Sequence, residues 1–419
     1  MWDPYAEFQS EVLPNGLTIH AAHWPGRPWE SMIFLIHSGA EQDPIGLEGL
    51  AHFVEHVATE NAGIPRKDIG NFFKDCGGSI NFGLTGYPCV SYGFFVPADE
   101  ALLSRALSIF GQMLFSSKIE KSIEREREII INEFRSFYSM QFKLNLVIRE
   151  REALYSDCWL GRFAGPFGAI DSIERITRND LQSYYDAQYT PANMSIVAVG
   201  GKTLPELVRL IPGTPLMAEK KGERTPFPAV TTHVGLPSEI RYVFRLSEHL
   251  RTEGLIEVGE YRSVARVPGS INSQIVRVAS NMLYNVLTEE VRERRAWTYG
   301  INSSGHNFRR FHEVSINCGA FTLKAIDKIE RVIEACIASI ENREDLFEQV
   351  KRRVLAEAFI ADQSGSSVCG EAADDLIYNQ RIISTKEYGD ELKKVTMGDI
   401  RDFLQWLRPE RRWTLIVNP

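Results

Sequence analysis

The sequence holds no run approaching about 18 consecutive apolar residues, so no membrane-spanning helix is expected. It has no surplus of positive charge. The 47 Lys and Arg stand against 55 Asp and Glu, for a formal net charge of −8. That balance leaves no excess to neutralise phosphates and disfavours nucleic acid as the main partner. No C-x-x-C pair occurs among Cys76, Cys89, Cys158, Cys318, Cys336 and Cys369. Scattered in this way, the cysteines read as reduced, mostly buried small hydrophobes. A disulfide scaffold or a cysteine metal site is not expected. The opening "MWDPYAEFQSEV" lacks the basic stretch and apolar core of a secretory signal, and the expected location is the cytoplasm.

What is present is a chain of 419 residues, too long for one hydrophobic core, with an ordinary apolar fraction of 44%. β-type runs lie around 17–22 and 31–38, split by a Pro/Gly turn. From Gly46 the period turns helical, with Leu47, Leu50, Val54 and Val57 recurring every three to four residues. "SINFGL" and "CVSYGFFV" read as a strand pair, 99–115 and 119–153 as helices, and 193–201 as a closing strand. The stretch 211–228, "IPGTPLMAEKKGERTPFP", is rich in Pro, Gly and charge and reads as a linker. A weak internal repeat supports the cut. "TRNDLQSYYDAQYTPANMSIVAVG" and "TMGDIRDFLQWLRPERRWTLIVNP" both begin Thr-x-x-Asp, a helix N-cap with a first-turn acid. Each continues as a helix, a proline (Pro191, Pro409) and a β-rich run. The expected fold is α+β. Two similar domains, 1–212 and 229–419, are joined by a linker over 213–228.

The chemistry gathers at "GLEGLAHFVEHVATENAG", residues 46–63. On a helix, His52 and His56 fall on one face, so both imidazoles can reach one cation, and neutral imidazole is a good zinc ligand. Glu55, three residues after His52, lies near that face and is poised to hold a metal-bound water rather than the metal. A catalytic zinc takes a third protein ligand and keeps a position open for water. The charged helix "EREREIIINEF" offers Glu126 and Glu133, seven apart and so two turns along one face. Glu133 follows Ile129-Ile130-Ile131, which places its turn in a buried setting where a carboxylate needs a cation. Glu133 is thus the expected third ligand and Glu126 its support beside the ligands.

Blander explanations compete. Histidine pairs at this spacing occur by chance on many helices, and an acidic helix face is commonly just solvated. A site of two histidines and one carboxylate also suits a non-haem iron oxygenase, although such a site needs no base at Glu55.

The H-x-x-E-H order is the inverzincin signature, and here the sequence resembles the pitrilysin/insulinase family of zinc peptidases, which includes mitochondrial processing peptidase. "VLPNGLTIH" looks like the family's opening strand and "GLAHFVEH" like its metal helix. Glu133, 77 residues past His56, lies at the distance of the family's distal glutamate ligand. "GGSINFGLT" resembles the segment whose asparagine, here Asn81, borders the substrate. The stretch from "LGRFAGPFG" to "SIVAVGG" is similar to the close of the catalytic domain. "VRERRAWTYG" resembles the family's Arg/Tyr pair, giving Arg292 and Tyr299, although from the residues alone it reads as a charged helix end before a strand. Departures are "VATENAGIP" where an "FKGT"-like stretch is common, Phe82 where a small residue is commoner, and "RRAWTYG" before the tyrosine.

The resemblance implies a zinc metalloendopeptidase with one Zn²⁺ per chain on His52, His56 and Glu133. Glu55 would be its base, Arg292 and Tyr299 its transition-state donors, and Asn81 its substrate contact. It implies two α/β-sandwich domains forming half of a clamshell, closed by a homodimer or a related chain around short or unfolded peptides. Family members that work in pairs often split the metal motif and the Arg/Tyr pair between subunits, whereas this chain carries both. The rival within the same fold is a non-catalytic or partner-dependent peptide-binding subunit, whose mark would be loss of Glu55 or a ligand.

Overall fold

The computed structural model of the protein describes residues 3–138, 141–245, 259–321, 325, 328–361 and 363–418. Ser139 and Met140, inside the helix expected over 119–153, lie outside the described residues. Two compact units emerge. Unit 1 comprises Met1–Ile148, Arg162–Phe227 and Phe359–Thr385, and unit 2 comprises Arg149–Gly161, Pro228–Ala358 and Lys386–Pro419. Among the described residues no helix is long and apolar enough to cross a membrane. All six cysteines are free, four of them buried.

Unit 1 is built on a six-stranded sheet in the order β1-β2-β6-β3-β5-β4, from β1 (Phe8–Val12), β2 (Thr18–His23), β3 (Trp29–Ile36), β4 (Ser79–Thr85), β5 (Val90–Pro97) and β6 (Met194–Gly200). Only the β2–β6 pair is parallel; the other neighbours run antiparallel. One face is covered by helices α1 (Leu50–Glu60), α2 (Arg66–Asp75), α3 (Glu100–Phe115), α4 (Ile123–Phe137) and α5 (Arg178–Gln188). The period-3.6 apolar stripe of α1 puts Leu50, Phe53, Val54 and Val57 into the core, each at most 2% exposed. Asp43 starts this helix from outside it, accepting from the Gly49 and Ala51 amides at 2.7 and 2.8 Å. α2, over "RKDIGNFFKD", has no counterpart in the sequence-based assignment.

Unit 2 repeats the arrangement. Its sheet runs β7-β11-β8-β10-β9, from β7 (Arg241–Arg245), β8 (Gly259–Pro268), β9 (Gly300–Asn307), β10 (Phe311–Phe321) and β11 (Arg412–Asn418), and again only one pair, β7–β11, is parallel. Helix α6 (Ser273–Leu287) packs on it. The expected Thr-x-x-Asp signals are capping boxes in both units. Thr177 and Asp180 open α5 before β6, and Thr396 and Asp399 open a helix (Met397–Leu404) before β11.

The units are not the two contiguous halves expected from the sequence. The expected 119–153 helix is two, α4 and Gln141–Tyr155, and the unit boundary falls inside the second. More tellingly, a helix from the far end of the chain, α7 (Gly365–Tyr378), belongs to unit 1. β6 is buried along its whole length, on both faces, so the sheet needs a second cover. α7 supplies it by packing Val368, Cys369, Ala372, Ala373 and Leu376 on Ala22, Leu35, Val197 and Val199. Small residues permit the approach, since a Cβ on Gly365 would overlap the Trp29 ring. In unit 2 the corresponding cover is Arg149–Gly161. There Glu150 takes both Nε and Nη2 of Arg262, at 2.5 and 3.0 Å, and Tyr155 donates to Glu313.

Candidate metal centre

The site lies in unit 1, between α1, α4 and the edge strand β4. The helical period that buries Phe53 and Val57 turns His52 and His56 to the opposite side, with rings 4.7 Å apart and nearly perpendicular. On α4 the inward stripe is Glu126, Ile130 and Phe134. Glu133 therefore sits at the rim, its side chain 48% exposed. The buried setting expected for Glu133 is thus corrected: Ile129 faces outward and only Ile130 of the apolar triplet is in the core.

His52 Nε2 and His56 Nε2 each lie 3.7 Å from Glu133 Oε2, and one ligand atom from each of the three falls within 4.8 Å of the others. Ligands about 2.0–2.2 Å from a tetrahedral zinc are separated by roughly 3.3–3.6 Å, so the donor set fits such an ion. The electrostatics agree. Burial, with the charge of neighbouring His56, pushes His52 down to about 3, leaving a neutral imidazole with a lone pair to give. His52 Nδ1 is buried with no hydrogen-bond partner among the described residues. Burial also pushes His56 down, but hydrogen bonding to Glu126 and the charges of Glu55 and Glu133 outweigh it and raise the ring above its ordinary value. Three carboxylates around one imidazole make a place for a cation.

Glu126 occupies the supporting position. His56 Nδ1 donates to Glu126 Oε2 at 3.1 Å, which leaves Nε2 facing Glu133. Arg125 donates to Glu126 Oε1 at 3.0 and 2.8 Å. Burial would raise the Glu126 carboxyl, yet His56 and Arg125 hold it below its ordinary value.

Glu55 stays outside the triad. Thr85 Oγ1 donates to its Oε2 at 2.8 Å, and burial raises its carboxyl above the ordinary range. The room for it comes from β4. The pairing of β4 with β5 shifts register between Asn81 and Leu84, and in that bulge Gly83 adopts φ +153°. A Cβ on Gly83 would overlap the Glu55 carboxylate. Asn81 is exposed on β4, and its Oδ1 accepts from the Gly83 amide at 3.2 Å.

The cleft encloses about 670 Å³. Its floor is polar and its walls are Phe82, Leu84, Phe137 and Phe167, with the Arg66 guanidinium 4.6 Å over the Phe82 ring. Sequence reasoning missed Thr85, Gly83, Arg66, Phe137 and Phe167. Thr85 and Gly83 lie in "GGSINFGLT", but only the bulge of that strand shows what they face. Arg292 and Tyr299 lie in unit 2. Arg292 lies in the last turn of a π-helical element, Thr288–Glu293, and takes no ion pair among the described residues, whereas Arg294 and Arg295 pair with Glu289 and Glu290. Tyr299 is 91% exposed.

An α1 helix carrying H-x-x-E-H, a distal glutamate and a duplicated α+β unit define the inverzincin type of peptidase fold. Residues 25–159 match the profile of Insulinase (Peptidase family M16), and residues 175–354 that of the Peptidase M16 inactive domain. The chain belongs to peptidase family M16, the insulinase/pitrilysin family. It is 29% identical over 205 residues to the mitochondrial-processing peptidase subunit beta of Saccharomyces cerevisiae, a match covering 48% of this chain and 43% of that one. The subunit beta of Caenorhabditis elegans matches at 23% over 414 residues, 93% of this chain and 85% of its own. Among the first of these curated relatives the chain spans about half their length or less. A protease from Helicobacter pylori has the same fold, with a TM-score of 0.81 at 17% identity over the whole of both chains.

Proposed function

We propose that the chain is a zinc metalloendopeptidase that hydrolyses short or unfolded peptides, with His52, His56 and Glu133 holding one Zn²⁺. The observation that carries this is Glu55: a buried carboxylate beside the triad but outside it, fixed by Thr85 and given space by Gly83. Zinc bound there would polarise a scissile carbonyl and acidify water. Glu55, its carboxyl raised above the ordinary range by burial, takes the proton of the attacking water and returns it to the leaving nitrogen. Glu126 holds the His56 proton at Nδ1 and so keeps Nε2 toward the cation. The peptide lies extended along the edge strand β4 near Asn81, between the apolar walls of the cleft. Arg292 and Tyr299 are assigned to the oxyanion, by likeness to the family's pair.

A second proposal follows from the yeast and nematode relatives, which are named as subunits of a processing peptidase. This chain works as a homodimer or with a related chain, and the partner completes the peptide chamber. The cytoplasm remains the proposed location.

The test pairs zinc content with cleavage of a quenched peptide library by wild type and Glu55→Gln. The expected result is about one zinc per chain in both and a loss of about 10²–10⁴-fold in rate in the variant. Undiminished cleavage by Glu55→Gln would sink the mechanism. Zinc without cleavage by either protein would favour the peptide-binding subunit.

A further inference from the structure

The two units share a contact as well as a topology. In unit 1, α1 meets the edge strand through Glu55 and Thr59, four residues apart. Glu55 fills the space beside Gly83, and Thr59 Oγ1 donates to the Phe82 carbonyl at 3.3 Å. In unit 2, α6 meets its edge strand β9 through Val276 and Ser280, also four apart. A Cβ on Gly305 would sit 2.6 Å from Val276 Cγ1 and 3.2 Å from Ser280 Oγ. Val276 therefore stands where unit 1 has Glu55, and counting along the helix puts Ser273 and Arg277 at the positions of His52 and His56. The ligands and the base are gone, yet a cleft of about 420 Å³ remains.

Its chemistry has changed sign. The metal cleft is lined by two glutamates; among the described residues this one has no Asp or Glu in its lining, and Arg277 is the one permanently charged side chain there. Arg277 takes no ion pair among the described residues and stacks 5.5 Å from the Tyr388 ring. Two serine hydroxyls line the cleft, Ser280 at 3% and Ser303 at 7% exposure, and neither has a hydrogen-bond partner among the described residues. Buried hydroxyls left unpaired cost free energy that a bound acceptor returns. A guanidinium with two hydroxyl donors suits an oxyanion. The volume is that of a pocket for a residue-sized group rather than a bare ion, at the lower end of the roughly 300–1,000 Å³ of ligand sites.

We propose that this second cleft binds the C-terminal end of a peptide, its α-carboxylate taken by Arg277, Ser280 and Ser303. The choice of a peptide rests on the peptidase reading above; the carboxylate rests on the cleft itself. Fluorescence anisotropy of a labelled unstructured peptide tests it, using the Glu55→Gln chain so that the peptide is not consumed. The free-acid peptide is compared with its C-terminal amide, and inorganic phosphate serves as competitor. The free acid is expected to bind about tenfold tighter or more, as for a charge-assisted contact. Arg277→Gln and Ser280→Ala, each added to Glu55→Gln, are expected to abolish that preference. Equal binding of acid and amide, or a preference that survives both substitutions, overturns the proposal. So does phosphate binding at this cleft without discrimination between the two peptides, which would make it a small-anion pocket. Because the readout is binding by a chain lacking Glu55, a failure of the hydrolytic mechanism and a failure of this site give different results.

Discussion

Glu55, Glu126 and Glu133 are chemically one residue type put to three uses by position. Glu133 is half exposed at the rim, Glu126 is wedged between His56 and Arg125, and Glu55 is buried against a bulge. Removing the charge of Glu126 should leave the fold intact and weaken metal binding by about 10–100-fold, as for other groups that orient a ligating histidine. Competition with a chelating dye measures this, and an unchanged affinity would deny Glu126 its role. Gly83→Ala adds a carbon where the Glu55 carboxylate lies. The variant is expected to retain zinc, because the ligands are untouched, and to lose most of its peptidase rate. Activity equal to wild type would mean that Glu55 does not need that position.

Glu30, on β3, bears on stability through its burial. It is fully buried, and burial raises its carboxyl from 4.5 to about 8, against the opposing Lys202 amide. The folded chain keeps that proton where the unfolded chain has lost it. Its contribution to stability is therefore complete below pH 4.5 and disappears as pH rises to about 8. Glu30→Gln should flatten the fall in melting temperature across that window. An identical pH profile in the variant would contradict the assignment.

At the scale of elements, α1 could be read from its letters because two periods coincide there. The apolar stripe of Leu50, Val54 and Val57 fixes the helix, and the helix then fixes where His52 and His56 point. The capping boxes at Thr177 and Thr396 were legible for the same reason: cap and acid are three residues apart, and the whole signal is local. The β4 bulge was not legible, since a register shift depends on the partner strand and leaves no mark in "SINFGLT". The rim position of Glu133 escaped because three consecutive isoleucines cannot all face inward on a helix. Helix α7 lies in the stretch that the sequence assigns to the second domain, 229–419, whereas it belongs to unit 1. Its sequence, "GSSVCGEAADDLIY", shows a small-residue face but not which sheet, far back along the chain, that face fits. Gly365→Leu tests the fit: overpacking against Trp29 should cost about 1–3 kcal/mol in denaturant unfolding. A neutral result would mean the contact is loose.

At the scale of the molecule, the metal and the fold should be linked. A ligand present at about 1,000 times its dissociation constant stabilises by roughly 4 kcal/mol, so removing zinc with a chelator should lower the melting temperature measurably. His52→Ala should melt at the apo temperature and ignore the chelator. A wild-type transition indifferent to chelation would argue against a bound metal. The exchange of helix α7 also has a consequence in time. On the ribosome β6 is complete at Gly200, but the helix that shields its second face ends at Tyr378. At about 5–20 residues per second, roughly 10–35 seconds pass between the two. Through that interval the nascent first unit carries an uncovered strip of Val197, Val199, Leu35 and Ala22, the kind of surface that chaperones hold. Synthesis stopped before residue 365 therefore leaves a first unit that is formed but sticky, and supplying the missing helix as a separate peptide is the way to quench it.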